Sequence, residues 1–274
     1  MVNDGDLSIS KACELVGLSR RAWYSDDPAD KQLPRDRPVI DALNKLVEQH
    51  PRWGFWKYFH ALRMAGRRCN HKRVWRIYCA MNLNQKRRAK RRLPDRLRTP
   101  LEAPSMPNHT WSFDFMSDTL YSRHRYRVLN VLDAGTREAQ DITVGTSLPA
   151  GRVVRVLDTL IAEHGKPFRI RVDNGAEMTP TVFVQWCERQ QIQIVYIQPG
   201  KPNQNAYIEQ FNRSFRHEVL DVNLFRTLGD VREVAWAWQI TYNEERPHAA
   251  PGNVPPAQFK RLITAGDPIN PLCA

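Results

Sequence analysis

The hydrophobic period of the chain changes near residue 110. Upstream, Val39, Leu43, Leu46 and Val47 recur at helical spacing within 38–49, and Phe55, Phe59, Leu62 and Ala65 do the same further on. Downstream, TWSFDFM (110–116) alternates, with Trp111, Phe113 and Phe115 on one side and Ser112, Asp114 and Met116 on the other. One element cannot serve both periods. A helical N-terminal part and a strand-containing C-terminal part are therefore expected, and Pro94, Pro100, Pro104 and Pro107 mark the linker between them.

Charge divides at nearly the same place. Residues 31–100 hold 20 basic and 4 acidic side chains, so the whole excess behind the net charge of +12 lies there. A polyanion-binding module joined to a nearly neutral domain has this pattern. The densest run is Lys86, Arg87, Arg88, Lys90, Arg91, Arg92, Arg96 and Arg98. Within 274 residues, 42% of them apolar, there is material for two folded domains. No stretch approaches the ~20 apolar residues of a membrane span. The acidic start, Met1 to Asp6, is not read as a secretory signal. Five cysteines without C-x-x-C spacing argue against a disulfide framework or zinc ribbon. A soluble, cytoplasmic, nucleoid-associated protein is the expectation.

ISKACELVGLSRRAWY (9–24) predicts two short helices around Gly17, with Ser19 capping the second. After the helix over 38–49, residues 52–84 predict a helix ending at Gly66 and a second one capped by Asn70, with Val74, Ile77, Tyr78 and Met81 on its apolar seam. That second helix carries Lys72, Arg73 and Arg76. Helix, turn and basic helix fit a helix-turn-helix reader of double-stranded DNA; an ordinary helical hairpin fits as well.

Past the linker, RYRVLNVLDA (125–134) and QDITVGT (140–146) read as strands, 151–164 as a helix, FRIRVD (168–173) as a strand and 181–190 as a helix introduced by Thr179 and Pro180. IQIVYI (192–197) is a further strand, followed by helices over 204–221 and 229–244. Three strands, then helices alternating with strands, predict a mixed α/β sheet covered by helices.

Three carboxylates stand out, each with a plain structural explanation. Asp173 ends a strand, where α/β sheets hold ligands, but Asp-Asn-Gly is also a turn sequence. Asp114 lies in an aromatic strand and can be a hydrogen-bonded buried acid. Glu209 shares a polar helix face with Asn205, Asn212, Arg213 and Arg216, where an i,i+4 pair with Arg213 is worth only a few tenths of a kcal/mol, roughly.

Taken together they carry a resemblance. Asp173 and Glu209 enclose 35 residues, and Arg216 stands seven after the glutamate. This is similar to the DDE core shared by retroviral integrases and many transposases. RWGFW, Cys69-Asn-His-Lys-Arg-Val-Trp75, WSFDFM, VDNGAE, GKPNQNAYIEQFNRSFR and YNEERPH resemble the OrfB transposases of the IS-three family of bacterial insertion sequences, from about residue 9 to 262. Met178 stands where the family usually has an aromatic residue, and His50, His60 and His71 have no cysteine pair to form a zinc module of the retroviral-integrase kind.

The resemblance implies an α/β RNase H-like mixed sheet covered by helices, preceded by a small all-α helix-turn-helix region. It implies a Mg²⁺ site, with Mn²⁺ as substitute, at Asp114, Asp173 and Glu209. Carboxylate oxygens suit Mg²⁺, and two such ions serve phosphoryl displacement. Asp114 and Asp173 are the expected principal ligands and Glu209 the completing one, while Glu177 orders the loop after Asp173. Arg216 is expected on a DNA phosphate. Further DNA contacts are expected from Arg213, from Lys201, Gln204 and Asn205 at the rim, from Lys72, Arg73 and Arg76, and from Arg87, Arg88, Arg91 and Arg92. Asn243, Arg246 and His248 are read as structural, and the eight tryptophans as core.

The expected domains are a helical DNA-binding region over 1–85, a basic linker over 86–106, a catalytic domain over 107–262 and a tail over 263–274. The expected activity is metal-dependent cleavage and strand transfer of insertion-sequence ends. An inactive DNA-binding regulator and a nuclease that cuts without joining are the alternatives. Expected partners are the DNA of element ends and target and further copies of the chain. An upstream OrfA-type protein is the third, because the family's active transposase is often a frameshift fusion with it.

Overall fold

A computed structural model describes residues 8–17, 19–20, 28–84, 106–173, 181–197, 205–249 and 252–265, with the side chains of 28–33 left out. The chain divides into two compact units, Met1–Lys86 and Arg87–Ala274.

In the first unit α1 (Ile9–Val16) ends at Gly17, whose φ of 67° is the left-handed cap that glycine adopts without strain. Most of the helix expected after Ser19 lies outside the described residues. Then follow α2 (Pro28–Gln49), α3 (Phe55–Met64) and α4 (His71–Ala80). The expected helix over 38–49 is the C-terminal part of α2, which runs through Pro34 and Pro38. Proline removes a backbone donor and crowds the preceding turn, so a local reading starts the helix at Pro38.

The apolar stripes meet as their spacing implies. Val39 and Leu43 of α2, Phe59 and Leu62 of α3, and Val74, Ile77 and Tyr78 of α4 are all buried. Full burial of each such side chain is worth about 1.5–3 kcal/mol. The α3–α4 turn passes through Gly66 at φ 79°, and Asn70 caps α4 by accepting the Lys72 N–H at 2.9 Å.

The second unit holds a five-stranded sheet in the order β3-β2-β1-β4-β5. β1 (Thr110–Thr119), β2 (Arg125–Asp133) and β3 (Ala139–Gly145) form an antiparallel meander. β4 (Arg169–Val172) and β5 (Gln193–Tyr196) extend it in parallel from the β1 edge. Between them come α5 (Ala150–His164) and α6 (Thr181–Gln190). Residues 179 and 180, the expected start of α6, lie outside the described residues.

The alternation of β1 separates two cores. Trp111 and Phe113 pack with Val153, Leu157 and Leu160 of α5 and Phe183 and Trp186 of α6. Met116 packs with the opposite layer, made by α7 (Ala206–Phe215) and α8 (Leu228–Glu244). Ile208, Phe211 and Phe215 of α7 and Val231, Ala235 and Tyr242 of α8 fill that layer. The helix expected over 204–221 is α7 followed by a π-helical turn, Arg216–Leu220. α8 opens on a capping box between Thr227 and Asp230. A last helix, α9 (Pro256–Ala265), runs past residue 262.

The tryptophans divide. Trp53, Trp111 and Trp186 are buried and Trp238 packs on the α7–α8 core, but Trp56, Trp75 and Trp236 are 58%, 46% and 66% exposed. The expectation that all eight are core fails for these three, because neighbours such as Phe55 and Val74 already occupy the inward positions of their helices.

Candidate active site

Asp114 leaves β1 on the α7 side of the sheet, the side of Met116. Its Oδ1 accepts the Phe115 N–H at 2.8 Å, and its Oδ2 accepts the side-chain amide of Asn212 at 2.9 Å. Burial, followed by the charges of Asp173 and Glu209, pushes its pKa up to about 6 against the opposing pull of those two hydrogen bonds. The three expected carboxylates therefore share one electrostatic neighbourhood.

The backbone explains why. Parallel pairing sets Ser112 beside Arg171, and each of these residues stands two positions before its aspartate, Asp114 or Asp173. Asp173 is the exposed residue after β4. Glu209 enters from α7, three residues before Asn212 and so on the same helix face. It is half-buried. Among the described residues no three acidic, His or Cys side chains stand close enough to form a metal-binding cluster. The donor set nonetheless suits a hard divalent cation, because all three side chains offer carboxylate oxygen.

Arg216, at the end of α7, turns toward β1. Its Nη2 donates to Ser117 O at 3.0 Å, and its Nη1 lies 3.4 Å from Asp118 Oδ2. Asp118 is four strand residues beyond Asp114, a distance of about 13 Å. Arg213 is exposed on α7. Asn205, expected at the rim, is instead buried at the start of α7, where its side chain makes no capping hydrogen bond. Lys201, Gln204 and Glu177 lie outside the described residues.

In the first unit Lys72 is exposed in the first turn of α4. Arg73 and Arg76 on the same helix are bound to the buried Asp36, at 2.9 and 2.5 Å. Arg73 also donates to Arg35 O. Arg73 and Arg76, expected on DNA, thus also tie α4 to α2, since a buried carboxylate needs cationic donors. One acid between two guanidiniums leaves one positive charge over. Arg87, Arg88, Arg91 and Arg92 lie outside the described residues.

The structural reading of YNEERPH holds. Asn243 bonds both the N–H and the carbonyl of Ala139, Arg246 pairs with Glu218, and His248 packs edge-on against Tyr242. Two asparagines at the centre, Asn130 and Asn212, were given no role by sequence reasoning. Only the i,i+3 spacing of Asn212 from Glu209 signalled it. Among the described residues no helix is long and apolar enough to cross a membrane.

Residues 104–202 and 190–256 each match an integrase core domain family, and residues 34–92 an HTH-like domain. The uncharacterized 39.2 kDa protein of insertion element IS476 from Xanthomonas euvesicatoria is 39% identical over 94% of this chain and 74% of its own. The uncharacterized 31.7 kDa protein of insertion element IS407 from Burkholderia multivorans is 37% identical over 96% and 95%. Among solved structures, the simian T-cell lymphotropic virus intasome, in complex with PP2A regulatory subunit B56 gamma, contains a chain similar in fold. It has a TM-score of 0.51 and 19% identity, over 73% of this chain and 69% of that one. With an HTH-like segment, an integrase core on an RNase H-like sheet and end-to-end similarity to insertion-element proteins, the chain belongs to the insertion-element transposases of the IS-three OrfB type, polynucleotidyl transferases that act on DNA.

Proposed function

We propose that this transposase cuts and joins the ends of its element at a centre made by Asp114, Asp173 and Glu209, with Mg²⁺ as the natural cation and Mn²⁺ as a substitute. The observation carrying the reading is the 2.9 Å hydrogen bond from Asn212 to Asp114, which sets α7 and its Glu209 beside the aspartate of β1. Asp114 and Asp173 would hold the cations, and Glu209 would complete the set from α7. A pair of divalent ions held there would supply activation of the attacking oxygen and an offset to charge on the leaving oxygen. The reaction itself forms a bond from a water or 3′-hydroxyl oxygen to phosphorus and releases the 3′-oxygen of the cleaved strand.

Around this centre, Arg216 and Arg213 hold DNA phosphate, with Lys201 and Gln204 from the preceding loop. Arg216 has two-pronged geometry for a phosphate, and the tie to Asp118 aims it along β1. The first unit holds the element end through Lys72, and the basic run Arg87, Arg88, Arg91 and Arg92 tracks the adjoining backbone. Residues 1–85 serve as the DNA-binding region, 86–106 as the linker and 107–262 as the catalytic domain, with α9 completing its fold. Two element ends must meet for joining, so a homo-oligomer assembles on DNA, with an upstream OrfA-type protein as partner.

Labelled DNA carrying the flanking terminal repeats, incubated with pure protein and Mg²⁺, tests this reading. Joined product that disappears in Asp114→Asn supports it. Cleavage without joining assigns a nuclease, and binding without either assigns a regulator.

A further inference from the structure

Asp114 is held by more than its own strand. Asn130 stands directly opposite it in the β1–β2 register, so the two side chains leave the same face of the sheet. Asn212 meets both from α7. Asn130 Nδ2 donates to Asn212 Oδ1 at 2.7 Å, and Asn212 Nδ2 donates to Asp114 Oδ2 at 2.9 Å.

An asparagine amide has a donor end and an acceptor end of nearly equal shape. What decides the end that faces Asp114 is the partner of the other end. Asn130 is that partner: its NH₂ group occupies Asn212 Oδ1 and leaves only the Asn212 NH₂ group for the carboxylate. The donor end of Asn130 is itself directed by Met116 Sδ, 3.3 Å from the same nitrogen.

Asn130 is fully buried, and among the described residues its Oδ1 has no hydrogen-bond partner. A buried amide with an unpaired oxygen is costly, and such a group in a packed layer calls for an explanation. Leucine has the same branched side-chain skeleton and carries no polar atom to leave unpaired.

We propose that Asn130 and Asn212 form a positioning relay, in which Asn130 fixes the polarity of the Asn212 amide and Asn212 holds Asp114 Oδ2 in one orientation for the strand-transfer reaction. With the Phe115 N–H on Oδ1, each oxygen of Asp114 has one donor and keeps lone pairs for a cation. The inference rests on the reading of Asp114 as a ligand. Neither asparagine touches the cation or the DNA. Partners that orient ligands typically change metal affinity by about 10–100-fold when removed.

Asn130→Leu and Asn212→Ala separate positioning from folding. Full-length variants are compared with wild type for thermal midpoint, for Mn²⁺ affinity by calorimetry without DNA, and for the Mg²⁺ concentration giving half-maximal joining. Both variants should keep a cooperative unfolding transition above the assay temperature, weaken Mn²⁺ binding and raise the Mg²⁺ requirement about tenfold. DNA affinity without metal should not change. Wild-type Mn²⁺ binding and Mg²⁺ requirement in the folded variants would overturn the relay. So would a fall in midpoint that accounts for the losses in both, or failure of both to fold, because the asparagines would then be structural. Asp114→Asn is the control. If it still binds Mn²⁺ and joins DNA, the ligand reading has failed; if it is dead while the relay variants behave as wild type, only the relay has failed.

Discussion

Glu218 lies in the π-helical turn after α7 and accepts a 2.8 Å hydrogen bond from Arg246, both side chains being buried. The same guanidinium donates to Ser214 Oγ at 3.0 Å, and Trp238 Nε1 donates to the other oxygen of Glu218 at 3.1 Å. The helix carrying Glu209 is thereby tied to α8 and to the YNEERPH segment. Removing one member of such a pair strands a buried charge, at a cost of about 3–5 kcal/mol. Arg246→Ala should lower the thermal midpoint strongly, and adding Glu218→Gln should restore part of the loss. A midpoint within a degree of wild type in Arg246→Ala would refute this.

Asp114 gives a pH signature in stability. Its folded pKa, about 6, lies above the ordinary 3.8, so folding favours its protonated form. The stabilising effect is complete below pH 4 and is lost as pH rises through 6. In metal-free buffer Asp114→Asn should match wild type near pH 4 and exceed it above pH 7, by about 1–3 kcal/mol. Chemical denaturation at the two pH values measures the difference; a constant offset would contradict the raised pKa.

Asp36 behaves in the opposite sense. Burial raises its pKa, but hydrogen bonds from Arg76 and Arg73 and their charges outweigh this and hold it below 3.8. Its stabilising effect is therefore complete above the unfolded value and lost as pH falls through the lowered one. Asp36→Ala should cost about 1–3 kcal/mol at neutral pH, with faster hydrogen exchange in α2 and α4. It also frees two guanidiniums, so DNA affinity should rise in the variant as far as it stays folded. Unchanged exchange in α4 would mean that the tie is unimportant.

Arg216 separates fold from substrate contact. Its bond to Asp118 is a half-exposed ion pair 3.4 Å long, a kind worth about 0–1 kcal/mol. Arg216→Ala should leave the thermal midpoint nearly unchanged and reduce joining more than tenfold, a loss that Arg216→Lys recovers only in part. A fall of many degrees in the midpoint would make the residue structural.

Residues 31–100 should supply the salt-sensitive part of DNA binding. A fragment beginning at residue 106 and running through α9 should fold but bind DNA weakly. For the full chain, log affinity should fall with log salt by about 0.9 per phosphate contact. Equal affinity and slope in the fragment would place the DNA contacts in the second unit.

Local chemistry made much of this protein legible from its residues. Helical spacing placed α3 and α4, Asn70 capped the second as its side chain allows, and the alternation of TWSFDFM separated the two faces of β1. The resemblance of Asp173, Glu209 and Arg216 in their spacing to a DDE core points to the candidate site. Such features depend on residues a few positions apart, because capping, period and turn geometry act within one or two helical turns. Other features depend on which surfaces meet. Asn130 finds Asn212 82 residues away, Asn212 finds Asp114 98 away, and Arg76 finds Asp36 40 away. No local period encodes these separations. They follow from the sheet register and from the way each helix packs on its layer. Tertiary packing likewise carries α2 through two prolines, exposes three tryptophans and buries Asn205. The three carboxylates stand out through a family resemblance, but Asn212 reaches Asp114 only where β1 and α7 come together.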